Sequence, residues 1–240
     1  MSNTGGVGLS IRNMWKVRGD GQRYVNISIP EFVVPPGAFV AVTGPNGSGK
    51  STLLDMLGLL LTPDHAEQFA LTGDVFEDLR DLSPSDKRRI RRQSFAYALQ
   101  GGGLLECYTV RQNIKFAARL NHTPLKIGDK LSRFLGIENI LDAYPAKISG
   151  GQRQKASLVC ALVQRPQIIL ADEPSGALDP QSALHVMNTF RRITGTNGIS
   201  LILVTHAPQL VSKSVDAMFH FHLSVHGNKL QSVLKPRSRR

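Results

Sequence analysis

The sequence predicts an α/β protein built on a largely parallel sheet, and three observations carry that prediction. Short apolar runs alternate with stretches whose apolar residues recur at helical spacing. The four most strand-like runs, residues 39–43, 95–99, 168–171 and 201–205, each hand over to polar residues at their C-terminal ends, where open α/β sheets place ligands. Between the first run and an apolar helix lies a glycine-rich octapeptide, residues 44–51.

In chain order, Phe39-Val40-Ala41-Val42-Thr43 reads as a buried strand ending at Gly44, and Thr52-Leu53-Leu54-Asp55-Met56-Leu57 opens an apolar helix. A basic helix is expected between Ser83 and Gln93, followed by the strand 95–99, which ends at Gln100. The pattern then changes to helices over about residues 101–165. Val110, Ile114, Ala117 and Ala118 mark one helix; Leu131, Phe134, Leu135 and Ile137 mark a second. Ser149 caps a third, running through Ala156, Leu158 and Leu162 until Pro166 stops it. After the strands 168–171 and 201–205, the tail beyond Phe219 reads as strands with a turn at Gly227-Asn228.

Composition removes several classes. At 240 residues the chain suits one large domain or two small ones and buries enough apolar surface to need no disulfides. The apolar run at 57–61 is far short of a bilayer span. The first residues show no secretory signal, and Cys107 and Cys160 form no metal or disulfide spacing, which fits a reducing, cytosolic setting. Charge is the outlying figure: 29 Lys and Arg against 18 Asp and Glu give +11 and raise nucleic acid or an anionic membrane as partners. However, Lys87, Arg88, Arg89, Arg91, Arg92, Lys235, Arg237, Arg239 and Arg240 sit in two short stretches without an acid. Removing those nine leaves 20 basic against 18 acidic residues, so the body is nearly neutral. The first cluster reads as a solvated helix face or a membrane contact. The second reads as a disordered solvated end or a weak lipid tether.

Gly44-Pro45-Asn46-Gly47-Ser48-Gly49-Lys50-Ser51 is a full match to GxxxxGK[ST] in its strand–loop–helix context. Glycines let backbone N–H groups curl around phosphate oxygens, and the following helix adds its dipole from Thr52 onward. Lys50 would reach the β- and γ-phosphates, and the Ser51 hydroxyl would ligate Mg²⁺. The strand 168–171 ends in adjacent carboxylates whose side chains point opposite ways. Asp172 suits Mg²⁺ coordination and Glu173 suits polarising a water.

Ile148-Ser149-Gly150-Gly151-Gln152 resembles the LSGGQ signature of the ABC (ATP-binding cassette) ATPases, with Ile for Leu. Around it stand, in the family's order, a Walker A at 44–51, a Q-loop glutamine at Gln100 and a Walker B at 168–172 with Glu173. A D-loop follows at Ser175-Gly176-Ala177-Leu178-Asp179, then a switch histidine at His206. The resemblance covers about residues 9–221. It implies a P-loop NTPase (RecA-like) core with an antiparallel β-subdomain and an inserted α-helical subdomain. Residues 1–240 would form a single ABC ATPase domain, with 1–100 and 166–240 as core and β-subdomain and 101–165 as the helical subdomain.

The resemblance further implies ATP and Mg²⁺ as cofactors and a second ABC ATPase subunit, in a homodimer facing head to tail. Each ATP would lie between one chain's P-loop and the other's Ser149, Gly150, Gly151 and Gln152, with Asp179 at the interface. Gln100 would touch Mg²⁺ and sense the nucleotide, Glu173 would act as base or water-orienter, and His206 would contact the γ-phosphate. A separate transmembrane permease subunit would be driven from the cytoplasmic side of the inner membrane. Its contact would fall on residues 101–108. Residues 170–179 are similar to the lipoprotein-release, macrolide-efflux and cell-division branch, which implies export or mechanical work. The family's adenine-stacking aromatic falls near Val17 or Arg18 here, leaving Trp15, Tyr24 or the Arg18 guanidinium as alternatives. Lys155 and Cys160 also depart from common family residues.

Rival readings fit less well. A nucleic-acid ABC ATPase would carry a coiled coil, zinc modules or two cassettes, none of which the sequence shows, so nucleic acid is not the expected partner. The signature and His206 argue against a soluble kinase. His220, His222 and His226 cluster without carboxylate or thiolate neighbours, which favours a packed or solvated pair over a metal site.

Overall fold

A computed structural model describes residues 6–19, 24–73, 77–98, 103–174, 180–226 and 229–238. The elements in chain order are β1 (Val7–Gly19), β2 (Tyr24–Val34), β3 (Phe39–Thr43), α1 (Lys50–Leu57), β4 (Gln68–Gly73), β5 (Glu77–Asp78), α2 (Pro84–Ser94), β6 (Phe95–Ala98), α3 (Val110–Leu120), α4 (Leu125–Leu135), α5 (Gly150–Leu162), β7 (Ile168–Asp172), α6 (Pro180–Asn197), β8 (Ser200–Thr205), α7 (Pro208–Val211), β9 (Ala217–His226) and β10 (Lys229–Pro236).

Among the described residues the strands form one mixed sheet in the order β5-β4-β1-β2-β10-β9-β3-β8-β7-β6. Its β9-β3-β8-β7-β6 half is parallel throughout, and its strands are buried end to end in β3 and β8, as a sheet covered on both faces requires. Its other half is antiparallel in β5-β4-β1-β2, and the C-terminal β10 joins β2 in parallel and β9 antiparallel. Alternate residues of β3 feed two cores: Val40 and Val42 pack with α1 and the β1–β2 strands, while Phe39 and Ala41 pack with the helices on the far side. Thus the strand that precedes the glycine-rich loop is gripped from both faces.

The helical pattern over 101–165 resolves into α3, α4 and α5 between β6 and β7. Thr109 and Gln112 cap α3 reciprocally, and Gly136 ends α4 in the left-handed region. Ile137, read as the end of the second helix, lies beyond that glycine. It is fully buried at the start of a short 3₁₀ turn, so its apolar contact is real but not helical. The run 95–99 is a strand through Ala98; Leu99 lies outside the described residues, as do Gln100, the 175–179 loop and the Gly227-Asn228 turn.

The two basic clusters differ from their sequence reading. In α2 the Lys87 ammonium donates to Thr62 Oγ1, Arg89 pairs with Glu77, and Arg91 donates to the Leu59 carbonyl. Three of the five cations therefore bind their own chain. The C-terminal stretch is not a loose end through Arg237. Lys235 belongs to β10, and the Arg237 N–H donates to the Met218 carbonyl at 2.8 Å, so the pairing with β9 continues past the end of β10.

Candidate nucleotide-binding site

The loop after β3 turns on glycines that other residues would strain. Gly47 and Gly49 take φ of +75° and +95°, and a Cβ on Gly49 would lie 2.7 Å from the Ile27 side chain. Gly49 also sits at the N-cap of α1 and supplies no capping side chain, so the first-turn N–H groups of α1 face the loop as an anion site. Lys50 folds back over this loop. Its Nζ donates to the carbonyls of Gly44 and Pro45 at 2.9 and 3.0 Å. Burial lowers the pKa of this ammonium, and the carboxylates of Glu173 and Asp172 oppose that shift.

Those carboxylates arrive on the neighbouring strand but one. Asp172 ends β7, and burial raises its pKa, against a hydrogen bond from Ser51. Glu173 follows with φ +44°, a left-handed conformation that costs a non-glycine residue of order 1–3 kcal/mol and is held by its N–H bond to the Val204 carbonyl. The turn brings Glu173 Oε1 to 2.9 Å from His206 Nδ1, which donates to it. Glu173 Oε2 is buried and has no partner.

A cleft of about 350 Å³ gathers these groups: Asn46, Gly47, Gly49, Lys50, Ser51, Thr52, Asp172 and Glu173 line it, together with Arg18, Val25 and Ile27. The last two were missed from sequence; the alternation of Val25, Ile27 and Ile29 was the signal for the strand that carries them. Of the candidates for holding the base, Arg18 lines the cleft. Trp15 instead stacks on His65 with ring centroids 6.1 Å apart, and Tyr24 is not in the lining. The hard oxygens of Ser51 and Asp172, side by side in this cleft, form a donor set that fits Mg²⁺.

The signature residues lie elsewhere. Ser149 caps α5 by accepting from the Gln152 N–H, while Gln152 Oε1 accepts from the Ser149 N–H at 3.0 Å. That reciprocal cap leaves the first-turn N–H groups of Gly150 and Gly151 outside intrahelical bonding. Ser149, Gly151 and Gln152 line a separate hollow of about 280 Å³, which shares no residue with the Lys50 cleft. One chain therefore does not bring its signature to its own phosphate loop. His220 and His222 pack edge to face at 5.1 Å, and among the described residues no group of three or more His, Cys, Asp or Glu is placed to hold a metal.

A mixed sheet with a glycine loop, a carboxylate-ended strand and a histidine at the next strand end defines a P-loop nucleotide cassette. The chain belongs to the ABC transporter family, whose model matches residues 28–176. It is 33% identical over 181 residues to the lipoprotein-releasing system ATP-binding protein LolD of Nitrobacter winogradskyi, covering 74% of this chain and 76% of that protein. It is 30% identical over 203 residues to the methionine import ATP-binding protein MetN of Haemophilus ducreyi, covering 82% and 57%. A bacterial ABC transporter cassette solved as a dimer shares the fold with a TM-score of 0.78 at 23% identity, covering 97% of this chain and 99% of that one. The same cassette in a post-hydrolysis state, bound to ADP and Pi, superposes with the same TM-score at 22% identity.

Proposed function

We propose that the chain, acting as one ATPase domain over residues 1–240, binds and hydrolyses ATP as the nucleotide subunit of a membrane ABC complex. Two copies would enclose two ATP and drive a separate transmembrane subunit. The observation that carries this reading is the convergence of Lys50, Ser51, Asp172 and Glu173 on one cleft, with His206 held on Glu173.

The loop N–H groups and the α1 N-terminus bind the β- and γ-phosphates, and Lys50 exchanges its two carbonyl partners for phosphate oxygens. Ser51, Asp172 and Gln100 would hold Mg²⁺, which neutralises phosphate charge when bound. Glu173 Oε2, buried and without a partner, is placed to accept a hydrogen bond from the attacking water. His206 holds the other carboxylate oxygen and thereby fixes the orientation of Glu173. Catalysis of this kind rests on positioning and charge stabilisation.

The separation of Ser149–Gln152 from the Lys50 cleft supports the two-chain arrangement, because a second copy supplies the missing signature. Exposed Leu105, Tyr108 and Phe116, with the two rings 6.2 Å apart, offer the membrane subunit an apolar contact. Such a partner would place the chain on the cytoplasmic face of the inner membrane. Likeness to LolD and the wording of residues 170–179 support export or mechanical work, although an import protein, MetN, is also similar.

Phosphate release from ATP by the purified chain, with and without Mg²⁺, tests the reading. Turnover that vanishes in Lys50→Ala is expected; equal turnover in that variant would reject it.

A further inference from the structure

A cavity larger than the nucleotide cleft lies elsewhere in the described structure. It encloses about 920 Å³ between α7 and the ends of β9 and β10, a size that takes a small molecule, and it shares no lining residue with the Lys50 cleft. Met218, His220 and His222 alternate along β9 and so present one face to it. The pairing of the Arg237 N–H with the Met218 carbonyl brings the Arg237 guanidinium alongside, with Nη1 3.5 Å from His220 Nδ1. Among the described lining residues there is no carboxylate, so this wall carries a permanent cation and two imidazoles without a counter-charge from them.

The hydrogen bonds fix the orientation of one imidazole. Thr43 Oγ1 gives its only proton to the Phe219 carbonyl at 3.0 Å, yet it also lies 2.9 Å from His220 Nδ1. Nδ1 is thus engaged within the chain, by Thr43 and the Arg237 guanidinium, which leaves Nε2 as the ring nitrogen for a ligand. Burial, followed by Arg237, His222 and Lys50, lowers the pKa of His220. An anion would offset those cationic neighbours and favour the protonated ring, which donates to it from Nε2. The same guanidinium opposes a metal cation.

We propose that this cavity is a second anion site that takes a small phosphoryl-bearing molecule, with Arg237 as its fixed cation and His220 and His222 as imidazole partners. Its walls lead to the catalytic elements. Thr43, which His220 grips, precedes Gly44, whose carbonyl accepts from Lys50, and α7 begins two residues after His206.

The test is calorimetric titration of inorganic pyrophosphate into full-length Lys50→Ala, in which the phosphate loop is disabled. Saturable binding at one site is expected. Adding Arg237→Ala should weaken it about tenfold or more, the scale of a lost charge-assisted hydrogen bond, while Arg237→Lys retains part of the affinity. Arg237 is joined to β9 through its backbone, so its side-chain loss should leave the melting temperature unchanged. If it does not, His222→Ala provides the second variant, with weakened binding expected. No saturable binding in Lys50→Ala, undiminished binding after both substitutions, or binding of Zn²⁺ in place of pyrophosphate would each overturn the proposal.

Discussion

His206 donates from Nδ1 to Glu173 Oε1 across 2.9 Å, while the other oxygen of the same carboxylate is buried and unpartnered. One oxygen is thus held and the other left to work. Glu173→Gln keeps the size of the side chain but loses the base. Hydrolysis should fall by about 10²-fold or more, the scale of general-base catalysis, with ATP binding and dimerisation retained. Steady-state phosphate release alongside equilibrium ATP binding checks both halves.

The base contact is a second point of attack. Arg18 is the residue lining the cleft that can stack its guanidinium plane on a base, in place of a ring. Arg18→Ala should raise the Kd for ATP about 3- to 30-fold, and Arg18→Trp should recover it. A fluorescent ATP analogue displaced by ATP reads the affinity.

Acid should act on metal binding before it unfolds the chain. Burial, with help from Glu173 and Asp55, raises the pKa of Asp172, so its protonated form persists to higher pH than that of an ordinary carboxyl. The ionised, metal-binding form exists above that pKa and is lost as pH falls through it. Mg²⁺-dependent ATP affinity, titrated at falling pH, should decline earlier for the parent than Mg²⁺-free affinity does.

The two thiols should separate cleanly. Burial pushes the Cys160 thiol up to about 12, while Cys107 is exposed. A thiol-reactive chromogen should label one equivalent in the native chain and two after denaturation, with Cys107→Ser removing the native signal.

Core packing under the β3 strand sets the last expectation. Phe190 on α6 is fully buried and meets Phe39 edge to face at 6.2 Å. Phe190→Ala should cost about 3–5 kcal/mol in chemical denaturation, with the nucleotide-cleft residues untouched.

The parts legible in the sequence are those whose chemistry is local. The glycines of 44–51, the reciprocal Ser149–Gln152 cap and the apolar strand before Asp172 each carry their reason within a few residues. What was not legible depends on residues distant in the chain. Nothing near Gly49 announces that Ile27 would press on it, and nothing near Tyr24 announces that β10 would pair with β2 from the other end of the chain. The C-terminal basic stretch read as a loose end because its strand exists only between β2 and β9, which lie far apart in the chain. Arg18 could be placed near the base by spacing. Its choice over Trp15 needed the turn that stacks Trp15 on His65.

The central claim is that ATP is held between the phosphate loop of one chain and the signature of another. The molar mass of Glu173→Gln, measured by light scattering with and without ATP, tests it most directly. A mass of 26.3 kDa without nucleotide should double with ATP, and adding Ser149→Arg should abolish the doubling while ATP still binds. A chain that binds ATP and stays monomeric, or a dimer indifferent to Ser149→Arg, would contradict it.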